Sequence, residues 1–200
     1  MVIHCVNGIF SLPGDSKGWQ HRGVVWIDRN TEHKAVACEY LAGLTAGRFH
    51  RKERARRLWK DVCAFGNEHQ SIIAHSNGCL VVTDMLRDYH CPHIDTLHLV
   101  CAACEADFHK NGLNLRMADG KVDRVIVYCG EKDWELRLAG SWMGHTLGWG
   151  DLGYRGPINV LPLLADRVKR VTGHPWNTYG HCDCWSQKNF DATMQEIVGV

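Results

Sequence analysis

The chain has 200 residues, of which 45% are hydrophobic and 22% charged, and its formal net charge at pH 7 is +1. This composition is typical of a globular protein, and the length fits one domain, residues 1–200, with a substantial core. The apolar runs are too short to cross a bilayer, and no secretory leader is recognisable before Asn7. The sequence therefore predicts a cytoplasmic protein without a membrane span, and it leaves the oligomeric state open.

Apolar runs and helical periodicities alternate along the chain. The predicted strands are 2–6, 23–27, 71–74, 94–101, 124–129 and 170–172, and the predicted helices are 35–65 (with a break near Gly47), 77–89, 161–168 and 185–198. Loops are predicted at 11–22 and 107–120. Strands that alternate with helices indicate parallel strands joined by crossover helices. The predicted fold class is therefore α/β, a three-layer α/β/α sandwich around a mostly parallel sheet.

The segment 72–79, Ile-Ile-Ala-His-Ser-Asn-Gly-Cys, places one serine between a buried strand and a helix. In a strand-turn-helix elbow a nucleophilic serine occupies a strained turn, and small residues two positions before and after it let strand and helix approach. Ala74 and Gly78 fill those two positions. The pattern predicts that Ser76 is a nucleophile.

A serine hydroxyl is a weak nucleophile unless a general base removes its proton, and the base needs a third group that orients it. Asp133 follows the strand 124–129 and a glycine, at the carboxyl edge of the sheet where open α/β folds bind ligands. We predict Asp133 as the orienting acid, with Asp107 as the alternative. Asp133 could instead cap a helix that begins near Trp134.

Thirteen histidines compete for the role of base. His181 follows the last predicted strand and precedes the terminal helix, which places it on a loop at the same edge of the sheet as Ser76. His145 and His174 could line a pocket or lie on the surface, and His75 should point away from the elbow. We predict His181 as the base.

Acyl transfer also requires N–H donors for the developing oxyanion. The main-chain N–H of Asn77, which opens the helix after Ser76, is the first predicted donor. The second would come from the loop after the first strand, from Ile9 or from Phe10, where Gly8 permits unusual backbone angles. A glycine- and tryptophan-rich stretch follows Cys129. Three aromatic residues are candidate substrate contacts, although the tryptophans could equally pack the core: Phe10, Trp142 and Trp149.

Two further features favour structural interpretations. Several of the ten cysteines lie in apolar runs, where a reduced cysteine acts as a small hydrophobic residue, so we expect no disulfides and no metal ligands. A zinc site built from two spaced pairs is the alternative: Cys101 with Cys104, and Cys182 with Cys184. Between residues 48 and 60 seven basic residues stand against Glu53 alone, and we interpret them as a solvated helix face rather than a nucleic-acid site.

Taken in order, these motifs resemble the α/β-hydrolase superfamily, specifically its small single-domain serine hydrolases of the esterase and lipase type. The matching segments are Val6-Asn-Gly-Ile-Phe10, Ala74-His-Ser-Asn-Gly78, Gly130-Glu-Lys-Asp-Trp134, 150–156 and Gly180-His-Cys-Asp-Cys-Trp185. Asn7 stands where the family commonly has His, and Ala74 where Gly is usual. The resemblance implies an α/β-hydrolase fold with little or no cap domain.

The same resemblance implies hydrolysis of a carboxylic ester, or a related acyl bond, in a small-molecule substrate. The reaction would pass through an acyl-enzyme on Ser76, with His181 and Asp133 as its partners in a triad and with Asn77 and Ile9 as the oxyanion donors. No metal or organic cofactor is implied. The alternative is a noncatalytic binding or assembly protein on the same fold.

Overall fold

The computed structural model describes residues 1–8, 18–39, 50–140 and 149–199. Within these residues one sheet is formed by six strands: Val2–Val6 (β1), Lys34–Cys38 (β2), Gln70–His75 (β3), Ile94–Val100 (β4), Val122–Tyr128 (β5) and Val168–Val171 (β6). The strand order is β2-β1-β3-β4-β5-β6, and every neighbouring pair is parallel.

Helices cover both faces of this sheet. The α-helices in the described residues are Trp19–Asn30 (α1), Arg51–Cys63 (α2), Asn77–Asp88 (α3), Leu113–Ala118 (α4), Trp134–Ala139 (α5), Leu152–Arg155 (α6) and Phe190–Val198 (α7). Short 3₁₀ helices span Pro162–Arg167, Trp176–Thr178 and Asp183–Trp185. The predicted fold class, a three-layer α/β/α sandwich, is confirmed.

Two cores flank the sheet because successive side chains of a strand point to opposite faces. On one face, Ile72 and Ala74 of β3 pack with apolar residues of α2, α3 and α4. On the other face, Ile73 packs with the residues that α1 and α7 bury. Burial of each large aliphatic side chain stabilises the fold by about 1.5–3 kcal/mol.

The predicted strand 23–27 is wrong, because these residues lie inside helix α1. The helix buries Trp19, Gln20, Gly23 and Ile27, which recur at helical spacing on one side. A short apolar run of five residues fits either element, and the contact of this helical face with the sheet decides between them. Gly23 lies in that contact, where an added Cβ would lie 3.5 Å from the Cys5 sulfur.

The predicted helix 35–65 is wrong in its first part. Lys34–Cys38 is instead the edge strand β2, paired in register with β1, and the helical part that the structure describes is Arg51–Cys63. The break predicted near Gly47 lies outside the described residues. Within the predicted loop 107–120 the chain forms α4, and the last helix begins at Phe190 rather than Trp185.

Several residues of the basic run are engaged within the fold. Arg51 donates two hydrogen bonds to the carboxylate of Asp84, at 2.7 and 2.6 Å, and Arg56 pairs with Glu53. Arg54 is buried.

In the described parts of the chain, no helix has the length and apolar character needed to cross a membrane.

The strand order also determines where a site can form. Strand β2 lies on one side of β1 and β3 on the other, so the connections that leave the carboxyl ends of β1 and β3 run in opposite directions. Open α/β sheets bind their ligands at such a reversal point. Asn7 and Gly8 follow β1 there, and Ser76 follows β3.

Candidate active site

Ser76 occupies a strained turn between β3 and α3, with φ 55° and ψ −126°. Such a conformation costs a non-glycine residue about 1–3 kcal/mol and persists only where the surroundings hold it. Three main-chain hydrogen bonds do so. The N–H of Ser76 donates to the carbonyl of Val100 at 3.0 Å, and its carbonyl accepts from the N–H groups of Cys79 and Ala103, each at 3.1 Å.

Two glycines allow the end of β1 to lie directly against this turn. A Cβ on Gly78 would lie 2.5 Å from the carbonyl oxygen of Asn7 and 2.6 Å from that of Val6. A Cβ on Gly8 would lie 2.8 Å from the Cβ of Ser76. Any larger residue at either position would force the backbone apart. The small residue that the elbow pattern requires after the serine is therefore explained by contact with β1.

The structure brings together the three predicted residues Ser76, His181 and Asp133. The Oγ of Ser76 lies 2.7 Å from Nε2 of His181, and Nδ1 of the same ring lies 2.8 Å from Oδ2 of Asp133. We assign the ring proton to Nδ1, because a carboxylate can only accept. Nε2 is then the acceptor for the serine hydroxyl.

Asp133 makes both of the contacts considered for it. Its side chain is completely buried, and Oδ1 accepts a hydrogen bond from the N–H of Leu136 at 2.9 Å, which caps helix α5. The other oxygen, Oδ2, faces His181. The cap thus fixes the carboxylate that orients the ring. Gly130 makes room for this arrangement, because a Cβ there would lie 2.9 Å from the carbonyl oxygen of Tyr179.

His75 contacts the His181 loop from behind. Its Nε2–H donates to the main-chain carbonyl of His181 at 2.9 Å, and the two rings lie 5.1 Å apart. Burial, with a smaller contribution from the charge of His181, lowers the pKa of His75 to about 3, so the ring is neutral at neutral pH. The sequence predicts only that His75 points away from the elbow, and its position next to Ser76 is the one signal of this contact.

A tryptophan pair packs against His75. The rings of Trp19 and Trp185 stack with centroids 4.1 Å apart and planes within 10° of parallel. Both ring planes are nearly perpendicular to the plane of the His75 ring. The indole N–H of Trp19 donates to Oδ1 of Asn7 at 2.7 Å, and the N–H of Gly8 donates to the same oxygen. Asn7 therefore ties the loop after β1 to α1.

The loop that carries His181 is also held from its far side. The N–H of Gly180 donates to Oδ2 of Asp183 at 2.8 Å. The side chains of Ser186 and Asn189 both donate to the carbonyl of Asp183. Arg22 donates to the carbonyl of Trp185 at 2.6 Å, which connects the loop to α1. Hydrogen bonds from several side chains thus hold the segment that carries His181.

The alternative residues lie elsewhere or outside the described chain. Asp107 accepts hydrogen bonds from the main chain of His109 and from the Asn159 amide, and the latter bond lowers its pKa. It therefore stabilises its own loop. His174 is exposed, and His145 lies outside the described residues.

Of the remaining predicted site residues, Asn77 and Trp149 belong to the described structure. Asn77 is buried at the first position of α3, where its N–H has no acceptor within the helix. Trp149 is half-buried and packs against both cores. Ile9, Phe10 and Trp142 lie outside the described residues. Their roles stay predictions.

All ten cysteines lie in described residues, and none forms a disulfide. Cys101 and Cys184 interact with each other through their thiols in one core, while Cys104 lies in the core on the opposite face of the sheet. The two pairs that a zinc site would need therefore do not converge. Burial raises the pKa of the Cys104 thiol, which keeps it protonated.

Comparison with known proteins finds similarity at the level of the fold. No protein-family model matches the sequence, and no curated protein matches it by sequence. A similar solved structure is an extracellular α/β-hydrolase from a Paenibacillus species, described as sharing structural and functional homology with tobacco salicylic acid binding protein 2. The TM-score is 0.52 at 11% identity, over 100% of this chain and 98% of that one. The chain thus has the fold of an α/β-hydrolase.

Proposed function

We propose that this protein is a serine hydrolase that cleaves carboxylic esters, or related acyl bonds, through an acyl-enzyme. One observation carries the proposal: the continuous hydrogen-bonded chain from the Ser76 hydroxyl through His181 to the buried carboxylate of Asp133. Each residue comes from a different loop at the carboxyl edge of the sheet. The strained backbone of Ser76 adds support, because strain of this kind clusters at active sites.

In the first half-reaction, Oγ of Ser76 attacks the acyl carbon while its proton moves to Nε2 of His181. The resulting imidazolium is stabilised by Asp133, which also keeps the ring in the tautomer that accepts at Nε2. Collapse of the tetrahedral intermediate breaks the bond to the alcohol oxygen, which takes the proton from Nε2. The product is an ester between the acyl group and Ser76, with the alcohol released.

In the second half-reaction, water replaces the alcohol. His181 removes a proton from the water as it attacks the acyl carbon, and the same proton returns to Oγ of Ser76 when the acyl bond breaks. Both tetrahedral intermediates carry an oxyanion. We assign its donors to the main-chain N–H of Asn77 and to that of Ile9 or Phe10, and loss of one such donor costs about 3 to 4 kcal/mol of transition-state stabilisation.

The substrate is a small-molecule ester, with Phe10, Trp142 and Trp149 as its proposed contacts. The chemistry uses no cofactor beyond these side chains and water. Ten unpaired cysteines suit a reducing compartment, which supports a cytoplasmic location for this chain.

Fluorophosphonate labelling tests the proposal. The probe should add one phosphonyl group per chain, at Ser76 by peptide mass spectrometry, and the protein should hydrolyse short p-nitrophenyl esters at neutral pH. Ser76→Ala should abolish both. Ser71→Ala is a matched control and should leave labelling and hydrolysis unchanged, because Ser71 is a buried serine at the start of strand β3 whose hydroxyl bonds the Met1 sulfur. A folded wild type that neither labels nor hydrolyses would instead favour the noncatalytic alternative.

A further inference from the structure

Asn77, the residue directly after Ser76, has a buried side-chain amide without hydrogen-bond partners. The residue is only 1% exposed, and within the described chain neither Nδ2 nor Oδ1 of its amide is hydrogen-bonded. The large majority of buried polar side-chain atoms in folded proteins have a partner. A buried donor or acceptor without one costs the full desolvation of that group. Two such atoms on one side chain therefore indicate a partner that binds to the protein.

The position of Asn77 directs this amide towards the reacting atoms. Asn77 is the first residue of α3, and the side chains of a helix tilt towards its N-terminus. The amide therefore leaves the helix on the side of the carboxyl edge of the sheet, where Ser76 and His181 lie. The next residue, Gly78, faces the end of β1 instead. Successive helical residues point about 100° apart, so Asn77 does not share that contact.

Trp149 offers an unpaired donor at the Ser76 turn. Its indole nitrogen is buried and has no partner within the described chain. Gly150, the next residue, donates through its N–H to the carbonyl of Ala103 at 3.2 Å, and the N–H of Ala103 donates to the carbonyl of Ser76 at 3.1 Å. The nucleophile is thus bordered by two side chains that carry buried, unpaired hydrogen-bonding atoms.

The same face of α3 continues into a cavity with polar walls. Leu80, one turn after Asn77, lines a cavity of about 230 Å³ together with Trp149. The other lining residues are polar: Arg51, Thr83, Arg87, Glu105, Lys110 and Asn111. An alkyl chain gains little from burial against such walls, because the polar groups that it covers lose their water. The surroundings of Asn77 therefore favour a substrate group that forms hydrogen bonds.

We propose that the side chain of Asn77 determines substrate specificity by binding a polar group on the acyl part of the ester. This inference rests on the proposed hydrolase function and narrows its substrate class. An amide offers a donor and an acceptor but no charge, so its complement is a neutral hydroxyl or carboxamide. Because the main-chain N–H of Asn77 is the assigned oxyanion donor, its side chain reaches the acyl carbons close to the carbonyl. The substrates are therefore esters of hydroxy acids or of N-acyl amino acids.

The test compares p-nitrophenyl esters in pairs of matched shape: β-hydroxybutyrate with isovalerate, and N-acetylglycinate with isocaproate. The second ester of each pair lacks the hydrogen-bonding group. For each pair, the ratio of the two kcat/KM values in wild type is divided by the same ratio in Asn77→Leu, so that the intrinsic reactivity of the esters cancels. Asn77→Leu keeps the main-chain N–H. We expect this quotient to favour the polar ester by about 10- to 100-fold for at least one pair.

The melting temperature supplies a second readout. Leucine has the branched shape of asparagine and replaces the two unpaired polar atoms by apolar ones, so Asn77→Leu should melt at or above the wild-type temperature. Asn114→Leu is the matched control, because the buried amide of Asn114 is bonded within the fold to the carbonyl of Asn159 and the N–H of Leu161. The control should lower the melting temperature and leave the quotient at one. Asn77→Ala serves the same test if Asn77→Leu does not fold.

Failure of this inference and failure of the proposed function give different results. Quotients within about twofold of one for both pairs, in a wild type that labels at Ser76, would overturn the specificity role and leave the proposed hydrolase function intact. A loss of melting temperature in Asn77→Leu as large as in Asn114→Leu would show that the Asn77 amide is bonded within the fold, which also overturns the inference. A folded wild type that neither labels nor hydrolyses any of the four esters contradicts the hydrolase function and the specificity role together.

Discussion

Replacing His75 tests whether a buried histidine positions the proposed base. His75→Phe keeps an aromatic ring against the stacked pair Trp19 and Trp185 but removes the donor to the His181 carbonyl. A buried carbonyl left without its donor costs about 1–3 kcal/mol, and the main chain of His181 can recover this by moving towards solvent. A displacement of about 1 Å at a catalytic group can reduce the rate 10²-fold. We therefore expect kcat/KM to fall 10- to 100-fold, mostly in kcat.

His75→Gln distinguishes a positioning role from simple packing. The amide nitrogen of glutamine can reach the place of Nε2 and donate to the same carbonyl, so this variant should recover most of the lost kcat. The measurement is steady-state hydrolysis of a p-nitrophenyl ester, together with the rate of fluorophosphonate labelling and the melting temperature. His98→Phe is the control for loss of a buried histidine, because His98 bonds Tyr128 and does not contact the His181 loop. It should lower stability and leave kcat/KM unchanged.

Two results would contradict a positioning role for His75. If His75→Phe retains kcat/KM within about twofold of wild type, the hydrogen bond does not position His181. If the Phe and Gln variants lose activity equally and in proportion to their loss of melting temperature, the ring serves only as packing. In a wild type that labels at Ser76, either result leaves the proposed hydrolase function intact.

Three further predictions follow from the same geometry. Asp133→Asn should lower kcat by about 10⁴-fold with little loss of stability, because asparagine still caps a helix, whereas Asp107→Asn should leave kcat unchanged. Gly78→Ala should lower the free energy of unfolding by about 2 kcal/mol or more in urea titrations and slow labelling of Ser76, because its Cβ would lie 2.5 Å from a carbonyl oxygen. His75 and His98 have pKa values lowered by burial from 6.5 to about 3 and about 4, so below pH 6.5 they take up protons only on unfolding. The free energy of unfolding should be highest above pH 6.5 and should fall towards pH 4 by up to about 1.4 kcal/mol per pH unit for each of the two histidines. His75→Gln should remove the part of this pH dependence that His75 contributes.

The parts of the site that could be predicted from sequence are those with a local signal. Ser76 lies between a strand and a helix, with small residues at fixed offsets that the approach of β1 makes necessary. Asp133 and His181 each follow a strand or a loop signal at the same edge of the sheet. The order of parallel strands then brings the three loops together, although the chain separates Ser76 from His181 by 105 positions.

The parts that could not be predicted depend on contacts without a local pattern. Residues 23–27 form a short apolar run whose helical state is decided by its contact with the sheet, and β2 is an edge strand whose half-buried residues give little periodicity. The bond from His75 to the His181 carbonyl joins a side chain to a distant main-chain atom. The ion pairs of His93 with Asp95 and Asp123 join the starts of two strands, and no spacing within one segment indicates them.

The two edges of the sheet impose different requirements on their side chains. In the proposed reaction, Ser76 and His181 change their bonding during each turnover. The fold fixes the main chain around them through Val100, His75 and Asp183 and leaves the serine hydroxyl and the imidazole to react. At the amino edge, His93 pairs with Asp95 and Asp123, and these residues need only hold one geometry. Substitutions at the carboxyl edge should therefore lower kcat, and substitutions at the amino edge should lower the stability of the fold. A variant of either edge that changes only the other property would contradict this division.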